Sequence, residues 1–244
     1  MSPAVELSTR LAPERVRVRR RCEWSPEELE RRLGALQPGA VFSIDRPITV
    51  EEFCDYVSDE WSAELVNGVV YIMSPPTDSH ESVAGWLFRV LGQYVEMRGL
   101  GTVRGGRSGV SINTTNLREP DLLFFQTSRL VLMTPSGVHG APDLAVEIVD
   151  SRKARRQAVE KQVQYEAIGV AEYWVIDLPQ REVRQFVLEQ GAFRRNPVPP
   201  LGELRSFTVS GFHLRTAWLF AGPNFPRSLD VVQALLAEAE RMPV

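Results

Sequence analysis

Between residues 79 and 98, apolar side chains recur at Val83, Trp86, Leu87, Val90, Leu91 and Tyr94. That is the three-and-four spacing of a helix with one buried stripe, and Gly99 supplies its C-terminal cap. A second helical pattern covers roughly 153 to 168 and stops at Gly169, and "LDVVQALLAEAERM" closes the chain as a third. Strand signals lie between and around these helices. "AELVNGVVYIM" places Asn67-Gly68 between two β-rich runs, which predicts a hairpin with a type I′ turn. "GVSI", "PDLLFF" (120–125), "LAVEIV" (144–149) and "EYWVID" (172–177) read as strands, a loop fills the stretch to residue 141, and "EVRQFVLEQGAFRR" reads as a hairpin through Gln190-Gly191. Two short helices are announced by their caps: Ser25, Pro26 and Glu28 for "SPEELERRL", Thr49 and Glu52 for "TVEEFCDYV". Strands and helices in this order predict an α/β or α+β sheet with helices on its faces.

The pattern divides the chain into an N-terminal extension over 1–44, a main domain over 45–225 and a C-terminal helix over 226–244. Within the extension, "RVRVRRR" (15–21) alternates arginine with valine before becoming a basic block. A solvated edge strand is the favoured reading, ahead of an arm contacting phosphates.

One residue breaks the pattern of the strand "LAVEIV". Side chains alternate along a strand, so Leu144, Val146 and Ile148 face one way while Ala145, Glu147 and Val149 face the other. Both faces are apolar except for Glu147. A carboxylate removed from water must be paired, hydrogen-bonded, metal-bound or protonated, because the unpaired charge costs many kcal/mol. Asp121, at the start of "PDLLFF", becomes its neighbour if the two strands share a sheet. Two carboxylates so placed repel, and a divalent cation with hard oxygen ligands relieves the repulsion. Mg²⁺ suits such a site, with Mn²⁺ as a substitute.

The following helix supplies a partner of opposite charge. At ~100° per residue, Ala154, Ala158, Lys161, Tyr165 and Ile168 share one stripe. Only two of the 28 basic residues are lysines, Lys153 and Lys161, so this chain keeps lysine sparingly. Lys161, in the middle of an apolar stripe, needs an acid, and Glu147 and Asp121 can provide one. Asp, Glu, Lys and a divalent ion together are equipped to hydrolyse a phosphodiester. A buried Glu–Lys pair also serves purely structural ends, so a non-catalytic nucleic-acid or protein binding module on the same scaffold is the competing reading. Glu64 reads as a charge on the face of the first hairpin, and His80 as a helix-terminus residue or core neighbour.

Composition narrows the field. The 244 residues are 43% hydrophobic with a formal charge of -3, so no overall basicity advertises a nucleic-acid partner. No apolar run reaches the ~20 residues of a membrane span and no signal peptide is recognisable, which leads to the expectation of a cytoplasmic protein. Cys22 and Cys54 lack metal spacing. His80, His139 and His213 form no zinc motif, and dinucleotide, Walker and serine-elbow motifs are absent.

Several ordered segments resemble the Uma2 family (DUF820) of the PD-(D/E)XK nuclease superfamily: "TVEEF", the stretch from "AELVNGVVYIM" to "EMRG", "REPDLLFF", "APDLAVEIVDSRKARRQAVEKQVQYEAIGVAEYWVID" and "VSGFHL". The resemblance runs from about residue 49 to 220. It implies a restriction-endonuclease-like core, a central mixed sheet flanked by helices in αβββαβ order, and a Mg²⁺-dependent DNA endonuclease. Asp121 matches the family's Pro-Asp aspartate and Glu147 the acid of the (D/E)XK element, the two metal ligands. Val149 holds that element's lysine position, and Lys161 matches the lysine the family carries in the next helix. Glu64 matches the glutamate of the family's hairpin, completing the catalytic set. Gln157 stands where the family has an aspartate before the lysine. DNA is the implied partner, no membrane contact is implied, and a homodimer is left open.

Overall fold

The computed structural model describes residues 15–17, 25–58, 60–134 and 137–241. The arginine block beyond Arg17 lies outside them. Two compact units make up the described chain: one runs to Ser74 and includes Thr114–Asn116, and the other comprises Pro75–Asn113 and Leu117 onward.

In the first unit, β1 (Arg15–Arg17) runs parallel to β2 (Val41–Ser43), β2 pairs antiparallel with β4 (Val69–Ile72), and β4 pairs with β3 (Ala63–Val66). Asn67 and Gly68 turn the β3–β4 hairpin with φ of 51° and 72°, the two positive values a type I′ turn demands. Helix α1 (Pro26–Leu33) packs with α2 (Val50–Tyr56), burying Leu29, Leu33 and Phe53. Thr49 and Glu52 form the expected capping box. Glu28 does not form its counterpart: the Ser25 side chain accepts from the Glu28 N–H, but the Glu28 carboxylate turns to Arg31 and Arg32, whose full charges attract it more than a backbone N–H does.

The second unit is built on a six-stranded sheet in the order β14-β13-β12-β11-β8-β5. Its strands are β5 (Gly101–Gly105), β8 (Leu122–Gln126), β11 (Leu144–Val149), β12 (Glu172–Asp177), β13 (Glu182–Glu189) and β14 (Ala192–Asn196). Only β11 and β12 are parallel. Helix α3 (Asp78–Met97) covers one face and α4 (Arg152–Ile168) the other. The succession α3, β5, β8, β11, α4, β12 gives the αβββαβ order of a restriction-endonuclease-like core. Short strands β6 (Val110–Asn113), β9 (Met133–Thr134) and β10 (Gly137–Val138) pair among themselves, and β7 (Asn116–Arg118) precedes β8. A small hairpin of β15 (Glu203–Arg205) and β16 (His213–Arg215) precedes the final helix, α5 (Ser228–Arg241).

Burial on both faces explains the apolar run of β11. Leu144, Val146 and Ile148 join Trp86, Leu87, Val90 and Leu91 of α3 and Val232 of α5 in one core. Ala145 and Val149 join Ala158 and Tyr165 of α4 in the other. Among the described residues, no helix is long and apolar enough to cross a membrane.

Candidate active site

Strand parity places Glu147 on the α4 side of β11, where only 7% of it is exposed. Helix α4 starts at Ser151, whose hydroxyl accepts from the Ala154 N–H at 3.1 Å, and ends at Gly169 in the left-handed region, φ 84°. This register points Lys161, 6% exposed, at the strand. Its Nζ donates to Glu147 Oε1 and Oε2 at 2.9 and 2.8 Å, and the Tyr165 hydroxyl donates to Oε1 at 3.0 Å. Tyr165 is held in turn by an edge-on contact with Tyr173, centroids 5.2 Å apart. A buried ion pair of this kind offsets the desolvation of each charge only while both members remain.

Asp121 reaches the same strand from β8. Its N–H donates to the Val146 carbonyl at 3.0 Å, and its Oδ2 accepts from the Ile148 N–H at 2.6 Å, so the residue brackets Glu147 along β11. Its side chain keeps 21% of its surface exposed. Asp121 Oδ1 lies 3.1 Å from His80 Nε2, in the first turn of α3. Thr77 caps that turn, accepting from the His80 N–H and donating to Asp150 Oδ2 at 2.9 Å, which fixes the start of α3 beside the end of β11. Burial opposes the charged imidazole of His80, but the hydrogen bond and charge of Asp121, with Asp150 and Glu81, outweigh it and raise the His80 pKa above the usual histidine value. His80 Nδ1 is buried without a hydrogen bond, with Glu81 Oε1 3.6 Å away.

The structure thus joins Glu147 to Lys161 directly and sets Asp121 on the backbone either side of Glu147. Glu64 belongs to the first unit, on β3 opposite Tyr71, and is 2% exposed. Val149, at the lysine position of the (D/E)XK element, is packed in the core beneath α4, and Lys161 delivers the ammonium from the helix instead. Gln157 lies half-buried on α4, one turn before Lys161. Sequence reasoning missed two neighbours. His80 touches Asp121, a contact between residues far apart in the chain that no local pattern announces. Arg118, 1% exposed, donates through Nε to Gln164 on α4 at 2.7 Å, and nothing in the polar stretch Asn116-Leu117-Arg118-Glu119 marks it as buried.

The donor set suits a hard cation of the Mg²⁺ type, which is satisfied by one or two carboxylates with water and substrate phosphate completing its shell. Asp121, just before β8, and Glu147, on β11, are the carboxylates in question; their oxygens face Ile148 N–H and His80 in the first case and Lys161 and Tyr165 in the second. Among the described residues, no group of three or more His, Cys, Asp and Glu is arranged to hold a metal ion, so no all-protein cage is present.

The family model described as "Uma2: Putative restriction endonuclease" matches residues 50–217. This chain belongs to the Uma2 family. A solved structure described as a "putative nuclease belonging to DUF820", from Anabaena variabilis ATCC 29413, superposes with a TM-score of 0.58 at 19% identity, covering 72% of this chain and 98% of that one. At that identity the likeness speaks for the fold alone. No curated protein matches.

Proposed function

We propose that this Uma2 protein is a divalent-metal-dependent endonuclease that hydrolyses phosphodiester bonds of DNA. The observation that carries the reading is the Lys161 ammonium, buried against Glu147 on the strand that Asp121 brackets. Asp121 and Glu147 would hold the metal, Mg²⁺ or Mn²⁺. When bound, such an ion acidifies water and stabilises negative charge on a phosphoryl group.

The chain's own residues do the rest. The Ile148 N–H and His80 Nε2 fix the Asp121 carboxylate from two directions, so its oxygens are oriented before any ligand arrives. Lys161 pairs with Glu147 and, with three N–H donors, retains the capacity to orient a water or to stabilise charge growing on a phosphate oxygen. Tyr165 keeps Glu147 in place when Lys161 shifts a donor toward substrate. The apolar surround of Ala145, Val149 and Ala158 lowers the local dielectric and strengthens these interactions. Glu64 is assigned an assisting role by the family resemblance.

The test is plasmid cleavage in Mg²⁺ or Mn²⁺ by wild type, Asp121→Ala and Lys161→Ala. Nicking or linearisation by wild type alone is expected. Equal activity in all three, or none in wild type, rejects the reading and leaves the binding module.

A further inference from the structure

Much of the second unit's surface cation content is neutralised by neighbours: Arg129 pairs with Asp143 at 2.9 Å, Arg155 with Asp177, and Arg195 with Glu182 at 2.6 Å. Other exposed arginines of this unit, Arg89, Arg181, Arg194 and Arg215 among them, also lack an ion pair with a described residue, but the end of the sheet that carries Asp121 and Glu147 gathers five such cations in two short segments. Arg104 and Arg107, in and just after β5, and Arg152, Lys153 and Arg156, at the start of α4, are all exposed, and none forms an ion pair with a described residue.

Both segments lie at the site. The end of β5 and the loop to β6 read Arg-Gly-Gly-Arg-Ser-Gly (104–109). A Cβ added at Gly106 would sit 3.9 Å from the backbone carbonyl of Asp121. Neither Gly105 nor Gly106 has a positive φ, and an added Cβ would meet nothing closer than 3.8 Å at either, so the fold itself does not require glycine there. Arg107, by contrast, adopts φ 73°, a conformation that glycine adopts at far lower cost. The loop therefore keeps bare backbone where a side chain would fit and an arginine where glycine would be cheaper. An incoming anion accounts for both choices: the glycines leave N–H groups approachable, and the strained residue contributes its guanidinium.

The start of α4 violates a charge rule in the same direction. The first turns of α1, α2, α3 and α5 each contain an acid, which complements the positive end of the helix dipole. The first turn of α4 has none and carries Arg152 and Lys153 instead, with Arg156 one turn on. Cations there repel the dipole and one another, and a polyanion lying across them reverses that cost. Helix α4 begins three residues after Val149 ends β11, so the two cationic segments stand at the same end of the strand that Asp121 brackets.

We propose that the 104–109 loop and the first turn of α4 form a two-sided basic cradle for the phosphate backbone of duplex DNA, which lays one strand across Asp121 and Glu147. The cradle takes its substrate class from the endonuclease reading above, but it is a binding surface and is tested without catalysis.

The experiment is fluorescence anisotropy of a labelled DNA duplex with the full chain, in chelator, over a series of salt concentrations. The variants are Arg107→Glu, the double variant Arg152→Glu/Arg156→Glu, and Arg205→Glu as a charge reversal elsewhere, at an exposed arginine that pairs with Glu203. Wild type should bind with a steep salt dependence. The cradle variants should bind at least about tenfold more weakly, with the log–log salt slope reduced by about one per phosphate contact removed, and Arg205→Glu should stay near wild type. All four positions are exposed, so folding is preserved and is checked by thermal melting. Salt-dependent binding lost in the cradle variants upholds the cradle even if wild type never cleaves DNA, in which case only the endonuclease reading falls. Unchanged affinity and slope in the cradle variants overturn the cradle even if wild type cleaves. Absence of duplex binding by wild type overturns it as well.

Discussion

Of the carboxylates taken out of water on the neighbouring parallel strands β11 and β12, Glu147 and Glu172 are treated differently. Glu172, at the start of β12, is fully buried and meets only neutral donors. Its Oε1 accepts from Trp174 Nε1 and Gln185 Nε2, both at 2.6 Å. Its Oε2 accepts from the Ser206 and Thr208 hydroxyls and from the N–H groups of Phe207 and Thr208, at 2.7 to 3.0 Å. Four of these six donors come from the segment just after β15, so the carboxylate staples that segment to the sheet. Its lone pairs are filled, and it has nothing left to offer a ligand. Glu147 is held instead by long side chains on one helix, an ammonium and a phenol, which can move by rotamer change without unfolding a loop. A buried acid saturated by backbone and hydroxyl donors is an anchor, whereas one held by a movable cation beside a second acid is equipped for exchange with a ligand.

The contrast predicts a graded set of effects. Glu172→Ala should be the most damaging substitution, because it strands several buried donors at once. A loss above about 5 kcal/mol, enough to unfold many domains, is expected in denaturant titration. A loss under about 2 kcal/mol would show that the staple is not an anchor. Next comes Lys161→Met, which leaves the Glu147 charge uncompensated and should cost about 3–5 kcal/mol. The double variant Lys161→Met/Glu147→Gln should recover much of that loss, and strict additivity in this cycle would remove the coupling claimed for the pair. Added Mn²⁺ should raise the melting temperature of Lys161→Met more than that of wild type, since a cation can then take the place of the ammonium. Tyr165→Phe deletes one hydrogen bond to Glu147 and leaves the ion pair, so a loss of about 1–2 kcal/mol is expected.

The smallest effect concerns pH. The raised pKa of His80 means that its pairing with Asp121 stabilises the fold fully below the unfolded histidine value near 6.5 and that this contribution fades as pH rises through the folded value. The stability difference between wild type and His80→Gln should therefore shrink with rising pH above that point, measured by denaturant titration at each pH. A difference that stays constant or grows would contradict the pairing.

Local chemistry made much of this legible in advance. The hairpins at Asn67-Gly68 and Gln190-Gly191, the Thr49 capping box, the helices α3 and α4 and the stripe that aims Lys161 at the sheet all follow from short-range pattern, and the structure has each of them. The apolar run around Glu147 likewise announced a strand buried on both faces. What was hidden depends on contacts distant in sequence. Nothing near residue 80 indicates that α3 begins against Asp121, and nothing in Val41–Ser43 alone shows that this three-residue strand pairs with β4. Glu172 was within reach: an acid opening an apolar strand poses the same desolvation problem as Glu147. Its six donors, four of them more than thirty residues away, could only come from the fold.

In the proposed function the Glu147 charge, unlike that of Glu172, is available to a cation shared with Asp121. Calorimetric titration of Mn²⁺ into the full chain tests it most directly. Saturable binding by wild type, lost in Asp121→Asn and in the double variant Lys161→Met/Glu147→Gln, is expected. No binding by wild type, or equal binding by all three, would contradict it.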